Sequence, residues 1–239
     1  MFSPRYPHGL VSILNCLAYS KDMILTIHAD AAAASQSLRA NLIQSLQAGE
    51  PVLWLVPGGS NIPITAAVMA QIPDELTPRL TIMLTDERYG AVGHPDSNAL
   101  QLQQAGFNPK KGAFFPALTG ATLEETVRAY AETAQTQFAK HHIILGQFGI
   151  GADGHIAGIL PGSPAATEQR AWVAGYHALS YTRITLTFPA LYHLSAAYAF
   201  VYGEAKREAL KRLETELPLH IQPAQILKAI PKAYLYTDQ

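Results

Sequence analysis

Short runs dominated by apolar residues recur from Ile24 onward: Ile24 to Ile27, Pro51 to Val56, Leu80 to Leu84, His142 to Phe148, Ala196 to Tyr202 and Ala233 to Tyr236. Each is too short for a helix of ordinary length and rich in residues that suit strands. Pro51 to Val56 is apolar without a break, as expected of a parallel strand covered on both faces. Between the runs the pattern changes to helical punctuation. Asp30 can cap an Ala-rich helix reaching about Leu46, with Gly49 as its stop. Ile64 to Ala70 reads as a second helix, and Ala121 to Ala139 as a third, in which Thr122 and Glu125 are spaced as a capping box. Ala171 to Gly175 is strand-like, Thr182 to Pro189 alternates polar and apolar as a strand, and Glu204 to Leu213 reads as a helix in which Glu208 and Arg212 can pair across one turn. A short helix near Pro223 to Ala229 precedes the final run.

The chemistry sits where these runs end. After Ile143-Ile144-Leu145 the stretch FGIGADGHIAGILPGS, Phe148 to Ser163, packs glycines, Asp153 and His155 into a tight turn. Gly149 to Gly154 also matches G-x-G-x-x-G, the fingerprint of a dinucleotide site. Its context argues otherwise: Pro161 arrives seven residues after Gly154, too soon for the helix that would hold a pyrophosphate, and the run Ala171 to Gly175 ends in no carboxylate. The strand ending at Val56 runs into Pro57-Gly58-Gly59-Ser60-Asn61-Ile62-Pro63. Paired glycines let backbone N–H groups converge there, and Ser60 or Asn61 can cap the following helix with Pro63 in its first turn, which makes an anion or oxyanion cradle. Leu80 to Leu84 empties into Thr85-Asp86-Glu87-Arg88-Tyr89, three charges that cost desolvation unless they pair with each other or with a ligand. Lys206 stands in a first helical turn, where a cation opposes the helix dipole by ~0.3–1 kcal/mol unless an anion is bound there. His141 and His142 are adjacent, so their side chains diverge and make a poor metal pair.

Composition narrows the partners. The chain has 239 residues, enough for one well-packed domain, with 49% hydrophobic and only 15% charged residues. A net charge of −1 without a basic run argues against nucleic acid as the main partner. No stretch approaches the ~18 uninterrupted apolar residues of a membrane-spanning helix. Cys16 is the only cysteine, which excludes an intrachain disulfide and a thiolate metal cluster and fits a reducing cytoplasm. Residues 1 to 22 match no element of the pattern that follows. A signal-peptide reading meets a thin charged region around Arg5 and a poor cleavage site at Lys21-Asp22, so a start at Met23 and a non-core extension are the expectation.

Taken together, PGGSNIP, TDERYGAVGHPDSN, GIGADGHIAGILPGS, and RITLTFPAL followed by GEAKREAL resemble the 6-phosphogluconolactonase family, within the larger group that includes glucosamine-6-phosphate deaminases. The matching pieces span nearly everything from Met23 onward. The resemblance implies a single-domain α/β fold over 23–239, a mostly parallel sheet flanked by helices, and hydrolysis of 6-phosphogluconolactone to 6-phosphogluconate in the pentose phosphate pathway, with no metal or nucleotide. The implied partner is a small phosphorylated sugar lactone, and the expected assembly a monomer or small homo-oligomer. His155 is then the general base, since imidazole alone titrates near neutrality, and Asp153 orients or tunes it. Gly58, Gly59, Ser60 and Asn61 are candidates for holding substrate oxygens, and Asp86 lines the same site. Arg88, Arg183 and Lys206 are the cations from which a phosphate site is expected. The chain departs from the family's pattern at Asn61-Ile62, where a single Ser or Thr usually precedes the proline, and at Gly158, where a Ser is common. A deaminase or isomerase of the same fold would use Asp86 as a proton shuttle. Those enzymes typically carry Asn-Glu-Pro where this chain has Ile159-Leu160-Pro161. A non-catalytic sugar-phosphate sensor would have no need of His155.

Overall fold

The parallel strands expected from the apolar runs form, and their alternation splits the interior in two. A computed structural model describes residues 24–178 and 180–239; the expectation for residues 1 to 22 lies outside the described residues. The strands are β1 (Leu25–His28), β2 (Val52–Val56), β3 (Leu80–Leu84), β4 (Asp86–Arg88), β5 (Ala113–Phe115), β6 (Ile143–Phe148), β7 (Val173–His177), β8 (Thr182–Leu186), β9 (Ala196–Val201) and β10 (Ala233–Thr237). Among the described residues seven of them make one sheet, in the order β1-β10-β9-β6-β2-β3-β5, with every neighbouring pair parallel. Side chains of one parity, Leu53, Leu55, Met83, Ile144, Phe148, Ala197, Ala199 and Leu235, enter one core. Those of the other, Val52, Trp54, Val56, Ile82, Leu145, Tyr198, Phe200 and Tyr236, enter the second.

Helices cover both faces. On the second core lie α1 (Ala31–Gln47), capped by the Asp30 carboxylate on the Ala33 N–H and burying Leu38, Leu42 and Leu46; α2 (Ile62–Ala70); and α3 (Asn98–Gln104). The first core takes α4 (Leu123–Lys140), which carries the expected Thr122–Glu125 capping box. It also takes the short helices α5 (Pro164–Thr167) and α6 (Phe188–Leu191), and α7 (Arg207–Leu213). Several boundaries differ from the sequence reading. The strand expected over Thr182 to Pro189 stops at Leu186, where Thr187 turns the chain into α6. The helix expected over Glu204 to Leu213 opens as a 3-10 turn, Glu204–Lys206, and Pro223–Ala229 is likewise 3-10.

The order of winding places the site. From β2 the chain steps through β3 to β5 on one side, and α4 then carries it back over both strands to β6 on the other side of β2. The crevice between the carboxyl ends of β2 and β6 is therefore the point where the winding reverses, which is where open parallel sheets bind ligands. PGGSN leaves β2 at that point and GIGADGH leaves β6 beside it. A second, antiparallel sheet, β4-β8-β7, stands at the same end, pairing Asp86 with Thr185 and Arg88 with Arg183.

Candidate active site

Beyond Val56 the chain takes a 3-10 turn, Gly59–Asn61, before α2, and both glycines are required by shape. Gly59 has φ +64°, a conformation glycine adopts without strain. A Cβ on Gly58 would stand 2.0 Å from Asn98 Oδ1, so only glycine lets the loop lie against that side chain. Asn61 occupies the N-cap position of α2 but makes no side-chain capping bond, contrary to the sequence expectation. Its Nδ2 instead donates to the Phe200 carbonyl at 3.2 Å, tying the loop to the end of β9, and its own carbonyl accepts from Thr65 Oγ1.

The turn after β6 is held from within and from behind. Gly151 N–H donates to the His155 carbonyl and Gly154 N–H to the Gly151 carbonyl, both at 2.9 Å, while Gly154 takes φ +90°. This folds His155 back over Gly151, where an added Cβ would meet its Nδ1 at 2.1 Å. His155 Nδ1 stands 2.6 Å from Asp153 Oδ1, and the same oxygen accepts the His155 backbone N–H at 3.1 Å. Burial, the largest single influence, pushes the Asp153 carboxyl up, but the hydrogen bonds and charge of His155 together outweigh it and hold it at about 2. A carboxylate only accepts, so Nδ1 is the nitrogen that carries the proton in the neutral ring and Nε2 holds the lone pair. Gly158 is also pressed close: a Cβ there would meet Asp86 Cβ at 2.8 Å and Thr185 Cβ at 3.0 Å. Glycine at this position lets the turn close directly onto β4 and β8.

The depression of the Asp153 carboxyl has a sign that can be tested. Its folded value lies below the unfolded value near 3.8, so the stability it contributes is present above that value and is lost as pH falls toward 2. Asp153→Asn is expected to melt below the parent at pH 5, with the gap closing as pH approaches 2. A gap of constant size across that range in thermal melts would contradict the pairing.

Of the three charges after β3, Glu87 turns away from the cleft. It is fully buried, and its two oxygens accept from Arg88 N–H (2.7 Å), Asn98 N–H (2.6 Å), Ala99 N–H (3.0 Å) and Ser97 Oγ (3.0 Å). Burial pushes its carboxyl up, and these four donors oppose the push. Glu87 thereby anchors the start of α3 and with it Asn98, whose Nδ2 donates to the Asp86 carbonyl at 2.9 Å. Glu87→Gln puts an amide donor against donors and leaves at least one backbone N–H unpaired. A loss of about 1–3 kcal/mol in a denaturant titration is expected, and an unchanged unfolding midpoint would remove Glu87 from this role.

Asp86 and Arg88 face the cleft. Asp86 is 7% exposed, accepts from Thr85 Oγ1 at 2.9 Å and lies 3.8 Å from Arg183 Nη1. Arg88 and Arg183 oppose each other directly across β4 and β8, an arrangement of like charges that destabilises a sheet unless an anion joins them. Both guanidinium groups lie over the Tyr181 ring, at 4.9 and 5.8 Å, and the Nε of each is buried without a hydrogen-bond partner among the described residues. Arg88 Nη1 also donates to the Asp96 carbonyl at 3.0 Å. Lys206 ends the 3-10 turn after β9, at the N-cap position of α7, and reaches the same cleft.

A cleft of about 240 Å³ thus gathers Gly58, Gly59, Ser60, Asn61, Asp86, Arg88, His155, Arg183 and Lys206, with Asp153 behind His155. Asn98, Gly149, Ile150, Gly151 and Ala157 line it as well. The sequence marked the stretch Phe148 to Ser163, which holds Gly149, Ile150, Gly151 and Ala157, as a site without giving these residues individual roles, and it gave none to Asn98. For Asn98 the available signal was its place at the end of TDERYGAVGHPDSN; for Ala157 it was its place within GIGADGHIAGILPGS, while its left-handed backbone, φ 51°, is a product of the folded turn. A larger groove of about 610 Å³ runs along β1, β10 and α7, lined in part by Leu210, Leu213 and Leu235, and gathers none of the loops that end the central strands.

Fold and cleft together define an α/β protein with a cation-lined, histidine-bearing cleft at the switch point of a parallel sheet. A sequence model of the family described as "Glucosamine-6-phosphate isomerases/6-phosphogluconolactonase" matches residues 27–234. The chain belongs to that family. It is 28% identical over 210 residues to the 6-phosphogluconolactonase of Streptomyces coelicolor, covering 78% of this chain and 80% of the relative. With the enzyme of that name from Synechocystis it shares 26% over 174 residues, 68% of this chain and 70% of the other. Crystal structures of 6-phosphogluconolactonases share its fold: one from Shewanella baltica has a TM-score of 0.76 at 20% identity, over 90% of this chain and 97% of the other. One from Thermotoga maritima has 0.77 at 19%, over 89% and 98%.

Proposed function

We propose that this chain hydrolyses 6-phospho-D-glucono-1,5-lactone to 6-phospho-D-gluconate, the lactone-opening step of the pentose phosphate pathway. The observation that carries the reading is the Asp153–His155 pair set in a cleft that Arg88, Arg183 and Lys206 also line. Family membership and relatives named 6-phosphogluconolactonase support it.

In this reading the phosphate sits against the cations, and the rigid cleft places the lactone carbonyl at the other end, beside His155. Nε2 of His155 takes a proton from water as the oxygen attacks the carbonyl carbon, and Asp153 stabilises the imidazolium that results. The carbonyl π electrons move onto oxygen, and the oxyanion is met by N–H groups at the Gly58–Ser60 turn, where the first turn before α2 has no intrahelical acceptors for them. Collapse of the tetrahedral intermediate breaks the bond between the carbonyl carbon and the ring oxygen. The proton held by His155 passes to that oxygen, giving the open-chain acid and a neutral imidazole. No redox step occurs, and the second proton of the water leaves the new carboxyl group to solvent as the equivalent of acid released.

One observation favours a second reading: Asp86 lies in the cleft with its carboxyl close to Arg183, where an isomerase or deaminase of this family would need a proton shuttle. Parallel assays separate the two. Blank-corrected proton release from the lactone, with no ammonia from glucosamine-6-phosphate, is the expected result; the reverse pattern would replace the lactonase reading with the deaminase one. Monomer or small homo-oligomer and a cytoplasmic setting complete the proposal, the latter supported by the single cysteine. No helix among the described residues is long and apolar enough to cross a membrane.

A further inference from the structure

The helical spacing suggests that Arg212 pairs with Glu208 along α7; instead its Nη2 donates to the backbone carbonyl of Asp153 at 2.7 Å. The neighbouring carbonyl, that of Gly154, accepts from Ala224 N–H at 3.0 Å. Two successive peptides of the Asp153-Gly154-His155 turn are therefore clamped from outside, by α7 and by the 3-10 segment Pro223–Ala229. Gly154, at φ +90°, lets the turn approach this support: a Cβ there would meet Gln222 Cγ at 2.7 Å and Arg212 Nη2 at 3.2 Å. Gln222 is fully buried and is itself fixed by donating to the Ala209 carbonyl at 2.7 Å and accepting from Gln225 Nε2 at 2.8 Å. Arg212 belongs to the same support, since its carbonyl accepts from Gln225 Nε2 at 3.2 Å.

We infer that Arg212 is a positioning residue for the Asp153–His155 pair. It is not among the described residues that line the cleft, so its proposed effect on the reaction runs through Asp153. Its guanidinium fixes the peptide that carries Asp153, and Asp153 in turn sets the orientation of the imidazole. The charge-assisted bond to a carbonyl is directional, which an ammonium on a shorter, more mobile stem reproduces in part. The inference rests on His155 acting as the base of the proposed lactone hydrolysis.

The test combines kinetics with a readout that needs no activity. Arg212→Met, which keeps the apolar stem, is expected to lower kcat about 10- to 100-fold, since small misplacements of a reacting group carry penalties of that order. KM and the affinity for 6-phosphogluconate should stay within about 2-fold of the parent, and Arg212→Lys should recover part of the loss. In a His155→Ala background Arg212→Met should have no further effect, because a residue acting only through His155 has nothing left to act on. Amide hydrogen exchange at His155 and Gly154 should speed up in Arg212→Met while the amides of β2 and β6 keep parental protection. A parental kcat, or an equal further loss in the His155→Ala background, would overturn the positioning role. If the parent shows no lactone hydrolysis, the functional reading falls, while parental exchange at His155 in Arg212→Met would separately overturn the clamp.

Discussion

Replacing His155 with Ala is expected to lower kcat about 10²- to 10⁴-fold, the range that a positioned general base contributes. The imidazole is tied to Asp153 through Nδ1 at 2.6 Å, which leaves Nε2 as the free nitrogen in a cleft lined by the Gly58–Asn61 turn. A merely structural histidine would be buried against apolar neighbours, whereas this side chain is 32% exposed. Affinity for 6-phosphogluconate should change little, because base assistance acts in the transition state and not in ground-state binding. Because phosphorylated lactones also open unaided, each rate requires fresh substrate and a buffer blank at the same pH. Near-parental kcat in folded His155→Ala would eliminate the base role and direct attention to Asp86.

Replacing Arg183 with Ala is expected to act on binding instead. Arg183 is mostly buried, lies directly across the strand pair from Arg88, and has a buried Nε without a hydrogen-bond partner among the described residues, so the cleft holds two cations that an anion would join. Loss of one charge-assisted hydrogen bond to phosphate corresponds to about 1.5–3 kcal/mol, or roughly 10- to 150-fold in kcat/KM, carried mainly by KM. Lys206→Ala should move KM in the same direction. Added salt should weaken the parent's affinity and narrow its advantage over both variants. If both variants bind 6-phosphogluconate as tightly as the parent, the phosphate lies elsewhere.

The parts of this molecule that the sequence made legible are those decided by local pattern. Val52–Val56, Leu80–Leu84 and Ala196–Val201 are buried on both faces and read as apolar runs, and Asp30 and the Thr122–Glu125 box announce their helices through contacts three residues away. The three-stranded sheet was not legible, because Asp86, Glu87 and Arg88 become a strand only by pairing with residues about a hundred positions later. Helix α3 was missed for a related reason: its start is organised by Glu87, from outside the helix, as well as by its own Ser97 cap. Arg212 shows the limit of spacing rules, since its i,i+4 partner Glu208 competes with a carbonyl that only the folded turn brings within reach. The glycine loops, Asp153, His155, Arg88 and Lys206 could be singled out because each follows an apolar run, whereas Arg183, inside β8, was pointed to by the resemblance alone; that they converge on one cleft depends on the reversal of winding between β2 and β6.

The central claim is that this cleft opens the lactone ring, and proton release from freshly prepared 6-phospho-D-glucono-1,5-lactone at fixed neutral pH measures that directly. The purified chain should shorten the lifetime of the lactone well beyond the buffer blank, in proportion to protein concentration, and yield one equivalent each of acid and 6-phospho-D-gluconate. A time course that coincides with the blank at every concentration of folded protein would contradict the account.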